Sequence, residues 1–153
     1  MKGPTWMATL SILAVLVFLA PLASGQGNGF SNHSFRGSYA LGIIGTVVSV
    51  GPVAGTGLLT SDGRGNLVGS ETISYGTGPC VLSLSGTYSV NPDGTGTGSV
   101  TVTQAVGGSL CASGSADTVD FSFVLSGPTG AAEKIKLSET STGFAILAQG
   151  ERQ

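Results

Sequence analysis

Between residues 37 and 153 the apolar positions recur at every second residue, the period of a strand with one face buried and one face wet. Residues 81–90 show it most clearly. Leu82, Leu84, Gly86, Tyr88 and Val90 share one face, and Ser83, Ser85, Thr87 and Ser89 share the other. Seven further runs alternate in the same way, over residues 37–50, 53–61, 66–75, 95–104, 117–125, 132–139 and 143–151. The breaks between them carry turn chemistry. Asp62-Gly63-Arg64-Gly65 and Asn91-Pro92-Asp93-Gly94 combine a proline or carboxylate that organises a turn with a glycine free to take positive φ. About eight short strands joined by short turns predict an all-β, antiparallel up-and-down barrel, with a β-sandwich as the alternative. Eight strands suffice to close a sheet around side chains or one small ligand.

The first residues follow a different pattern. One charge, Lys2, precedes an uncharged apolar run over residues 7–20, and the small residues Pro21-Leu22-Ala23-Ser24-Gly25 follow it. This is the order of a secretory signal peptide. The run is too short for the roughly 20 residues that span a bilayer, so no membrane span is expected after cleavage. The chain therefore divides into a signal peptide over 1–25, a flexible N-terminal segment over 26–36 and a single β-barrel domain over 37–153. Its expected location is secreted or periplasmic. An outer-membrane barrel needs an apolar outward face with aromatic girdles, whereas the face opposite the core here is mostly Ser and Thr, so the barrel is expected to be soluble.

Composition sharpens this picture. Glycine accounts for 26 of 153 residues, without the three-residue period of collagen. Losing Lys2 with the leader takes the formal charge from −2 to −3. No basic cluster exists to bind nucleic acid. The two cysteines, Cys80 and Cys111, are expected to form a disulfide in an oxidising compartment, closing a loop of about 30 residues. With one histidine and no CxxC, no metal site is expected, and no cofactor motif is present: the glycine-rich stretches lie in hairpins, not between a strand and a helix. Oligomeric state has no signature in the chain.

Candidate chemistry comes from acids on the apolar face. Glu71 alternates in step with Leu67, Ile73 and Tyr75, and Glu139 with Ile135 and Leu137, so both are catalytic candidates projecting inward. A carboxyl in an apolar cavity has a raised pKa and can give or take a proton near neutrality. The competing account puts each at a barrel mouth, wetted or hydrogen-bonded, and a one-residue bulge would turn either outward. Tyr39, Tyr75, Tyr88, Phe121 and Phe123, with Phe144, fall on the same inner face, as core or as the walls of a ligand cavity. His33 lies before the first strand and is expected at the surface.

Gly37-Ser38-Tyr39-Ala40, the two DGxG turns, the strand Leu84-Ser85-Gly86-Thr87-Tyr88-Ser89-Val90 and the terminal Ala148-Gln149-Gly150-Glu151-Arg152-Gln153 resemble a group of small secreted bacterial proteins of uncharacterised function. More remotely, the strand order is similar to the barrels of allene oxide cyclase and dirigent proteins. That resemblance implies a cavity for an apolar or phenolic small molecule. The leading expectation is an interior site for a small apolar ligand. The alternatives are a cyclase or isomerase using an inward glutamate, and a structural or adhesive envelope module without ligand.

Overall fold

The computed structural model describes residues 29–48, 50–75, 78–107, 116–128 and 130–153. Alternation translates directly into strands: β1 (Gly37–Val47), β2 (Gly51–Ser61), β3 (Asn66–Ser74), β4 (Pro79–Val90), β5 (Thr95–Gly107), β6 (Ala116–Ser126), β7 (Lys134–Glu139) and β8 (Phe144–Arg152). Each pairs antiparallel with the next, and β8 returns to β1 to close the barrel. The closing ladder runs from Tyr39 opposite Arg152 to Val47 opposite Phe144. The expected up-and-down barrel is the observed fold, and the sandwich is not. β1 stops three residues earlier than the pattern predicts, because Val50 N–H donates to the Val47 carbonyl at 3.1 Å and turns the chain.

The carboxylate turns form as their chemistry dictates. Asp62 Oδ1 accepts from the backbone of Arg64 at 2.7 Å and of Asn66 at 3.0 Å, and Oδ2 accepts from Asn66 Nδ2 at 2.7 Å. These bonds, led by the Asn66 side chain, hold the Asp62 carboxyl down at about 2. At the second turn Gly94 takes φ of +88°, its N–H donates to the Asn91 carbonyl, and Asp93 Oδ1 accepts from Thr95 N–H at 2.9 Å. Both turns lie at the same end of the barrel, opposite the end reached by Val47, Tyr75 and Phe144.

That turn end is closed from within. Residues 26–36, expected as a flexible segment, are packed against the barrel over the part that is described. A 3-10 turn (Asn32–Phe35) drives Phe35 into the lumen, where it is completely buried. Its ring lies 5.0 Å from Tyr39, 5.0 Å from Tyr88 and 5.4 Å from Phe123. Backbone and side-chain bonds fix the turn in place. Asn32 Oδ1 accepts from Val90 N–H at 2.8 Å, and its carbonyl accepts from the Tyr88 hydroxyl at 3.1 Å. The Ser34 carbonyl accepts from Ala132 N–H at 2.9 Å, and the Tyr39 hydroxyl donates to the Ala132 carbonyl at 3.0 Å. Aromatic burial outweighs the irregular backbone here because the Asn32 side chain and the Asn32 and Ser34 carbonyls find donors on the barrel.

On β5 the glycines make room for rings. A Cβ on Gly96 would collide with the Phe123 ring, and one on Gly98 with the Phe121 ring, so the outer ends of two phenylalanines rest against bare backbone. The outer wall carries Ser and Thr, as predicted, together with exposed Ile44, Leu58, Val68 and Leu147. Among the described residues no helix is long and apolar enough to cross a membrane.

Candidate functional site

Beyond the aromatic plug the lumen opens into a cavity of about 290 Å³. Its walls are mainly aliphatic, supplied by Leu41, Ile43, Leu59, Leu67, Ile73, Leu82 and Leu84 among others, and its floor includes Phe121. Val50, Tyr75, Asp117 and Phe144 frame the far end, where Val50, Asp117 and Phe144 are solvent-exposed. Among the described residues nothing at that end corresponds to Phe35.

The aromatic candidates therefore separate by depth. Tyr75 and Phe121, with Phe144, line the cavity. Tyr39, Tyr88 and Phe123 point inward as the alternation requires but are packed around Phe35 in the plug, away from the cavity walls. The Tyr88 hydroxyl accepts from Ser61 Oγ at 2.6 Å, so this end is a finished, hydrogen-bonded floor.

Both glutamates reach the cavity. β3 and β7 stand four strands apart in a ring of eight, so Glu71 and Glu139 approach from opposite walls of the lumen. Glu71 sits between Gly57 on β2 and Leu82 on β4. A Cβ on Gly57 would lie 2.9 Å from the Glu71 Cβ, and the missing side chain leaves the glutamate its place. Burial among aliphatic neighbours raises the Glu71 carboxyl from 4.5 to about 7. Glu139, opposite Phe121 in the ladder, is also raised to about 7, first by burial and then by the charge of Glu71. Tyr75 titrates above its ordinary value through burial and then the same two carboxylates, which puts all three groups in one electrostatic neighbourhood.

Two residues of this cluster escape attention in the sequence. Gln104 is opposite Leu82, which is itself opposite Glu71, so Glu71, Leu82 and Gln104 form one inward row across β3, β4 and β5. Just beyond it the β4–β5 register shifts between Val81 and Leu82. Asp117, opposite Val102, stands at the rim. Continuing the inward series Val100 and Val102 by one step reaches Gln104, and reading β6 back from Phe121 and Val119 reaches Asp117.

Among the described residues, Glu139 Oε1 and Gln104 Oε1 are buried and have no hydrogen-bond partner. Such acceptors are rare in a finished core, because removing them from water without a donor costs about 1–3 kcal/mol each. The arrangement is an apolar pocket with acceptors concentrated near its open end, able to hold a proton, or a donor group, close to neutral pH.

The remaining candidates lie elsewhere. His33 is exposed on the plug turn, remote from the cavity lining. Cys80 is completely buried at the start of β4, and Cys111 lies outside the described residues. Among the described residues no group of three or more His, Cys, Asp and Glu is arranged to hold a metal ion. Compared with protein-family models, with curated proteins and with solved structures, the chain matches none.

Proposed function

We propose that this protein is an exported β-barrel that takes a small, largely apolar molecule into its lumen through the end framed by Val50, Tyr75 and Phe144. One observation carries the reading. The barrel is packed solid by Phe35 and its aromatic partners at one end and encloses about 290 Å³ at the other. Protein interiors ordinarily pack as densely as organic crystals, so a lumen serving only as core would be filled along its whole length. The volume stands near the lower bound of small-molecule pockets, roughly 300 Å³, and is about twice that of an apolar cavity known to hold benzene, roughly 150 Å³. A ligand the size of a medium alkyl chain or a single substituted ring fits it.

Export is supported by the leader pattern of residues 1–25, and it gives the two cysteines an oxidising environment in which a Cys80–Cys111 bridge is the favoured state. The direct test of the binding reading is titration of the mature domain with 1-octanol, a neutral apolar probe, by calorimetry and ligand-observed NMR. Saturable binding is expected, and Val102→Trp, which fills the cavity from β5, should abolish it while the far-UV spectrum stays unchanged. Absence of saturable binding to the unaltered domain, or equal binding by the tryptophan variant, overturns the reading.

A further inference from the structure

The cavity is one-sided in its chemistry. Its polar lining consists of Glu71, Glu139, Asp117, Gln104 and Tyr75, and among the described residues no lysine, arginine or histidine lines it. Among the described residues every charge lining the cavity is thus carried by an acid: Glu71 from β3, Asp117 from β6 and Glu139 from β7. Tyr75, just beyond β3, adds a phenol, and β5 adds the Gln104 amide.

We infer that the natural occupant is an amphiphilic amine, an apolar body ending in an ammonium group that lies between Glu71, Glu139 and Gln104. This rests on the binding role proposed above and specifies its ligand class.

Three considerations select the amine. Of the two buried atoms without partners among the described residues, Gln104 Oε1 accepts hydrogen bonds and so does Glu139 Oε1 once its carboxyl is ionised, so the missing group is a donor. An ammonium offers three donors, enough for Gln104 and both glutamates together, whereas a hydroxyl offers one. A ligand ending in carboxylate, sulfate or phosphate would meet like charge in a low-dielectric pocket, and no cation there compensates it. The rest of the lining, from Leu41 and Ile43 through Leu82 and Leu84, accepts only the apolar body. A bare metal ion would leave that aliphatic wall without an occupant, and the described acids form no metal-binding group.

The pH behaviour follows from the same groups. Burial holds the Glu71 and Glu139 carboxyls near 7, so in mildly acid solution they are neutral and offer an ammonium no charge. An alkylamine keeps its proton throughout, with a pKa close to the roughly 10.4 of a lysine side chain. Binding should therefore strengthen between pH 5 and pH 8, and below pH 7 it should expel protons from the glutamates into solution.

The experiment compares octylamine, 1-octanol and octanoate on the mature domain at pH 5 and pH 8 by calorimetry in two buffers of different ionisation enthalpy. At pH 8 octylamine should bind at least about tenfold tighter than octanol, and octanoate weaker than either. The amine advantage should shrink to about twofold or less at pH 5. In Glu71→Gln/Glu139→Gln it should be lost at both pH values, together with the proton release measured at pH 6.5. If octanol binds and octylamine gains nothing over it, or octanoate binds best, the amine assignment is wrong and the apolar site stands. If none of the three binds, the site itself is refuted and the assignment falls with it.

Discussion

Replacing Glu71 by Gln should make the protein more stable at pH 8 and remove a large part of its pH dependence above pH 5. The carboxyl titrates near 4.5 in the unfolded chain and at about 7 in the barrel, because burial disfavours its charge. Between those values the folded state holds a proton that the unfolded state has released, so stability is full below pH 4.5 and falls as pH rises through 7. A tenfold difference in proton affinity corresponds to about 1.4 kcal/mol, which puts the loss at about 3 kcal/mol for complete ionisation. Water entering through the open end trims this toward about 2 kcal/mol, still a large share of the roughly 5–15 kcal/mol that holds a domain together. Glu139 is more exposed to that water and adds in the same direction. The turn carboxylates Asp62 and Asp93 are held below their ordinary range, so their contribution is complete by pH 5 and does not blur the window. Urea denaturation at pH 5, 6, 7 and 8 reads the effect as a falling midpoint in the parent and a distinctly shallower fall in Glu71→Gln, the remaining slope belonging to Glu139. A parent protein that gains stability from pH 5 to 8, or a variant with the parent's slope, would refute the burial of this carboxyl.

Two further perturbations test the ends of the barrel. Phe35→Ala removes a completely buried ring with three aromatic neighbours, and should cost about 3–5 kcal/mol in urea denaturation; a loss below about 1 kcal/mol would mean that the plug does not close the barrel in solution. Reduction of the proposed Cys80–Cys111 bridge should lower stability by about 3 kcal/mol, as expected for a loop of this length, and detection of two free thiols in the native protein would dispose of the proposal.

The strands were legible because a half-buried sheet writes its geometry into every second residue. Leu82, Leu84 and Tyr88 point inward for the same reason that Ser83, Ser85 and Thr87 point outward. Inward placement of Glu71 and Glu139 followed from the same rule. Depth along the barrel axis did not, because it depends on the stagger between strands. Tyr39 and Tyr75 therefore looked equivalent although one belongs to the plug and the other to the cavity. The meeting of Glu71 with Glu139 across the lumen likewise exists only once the sheet is closed. Phe35 was hidden for a third reason. It precedes the first strand, in a segment rich in Gly, Asn and Ser with no apolar period, and its burial depends on partners from three different strands.

Closure of the barrel by its two terminal strands bears on when this chain can fold. Tyr39 must find Arg152, and the carbonyl of Ala132 must be in place before the Tyr39 hydroxyl can bond to it. Hairpins between neighbouring strands form from local contacts, but the seam between β1 and β8 joins nearly the whole length of the domain and comes late. A chain emerging amino-terminus first has no finished sheet until its final strand is free, and until then β1 presents an unpaired edge. Topology alone thus keeps the barrel open for as long as β8 is held back. β8 is the latch on which closure of the barrel waits.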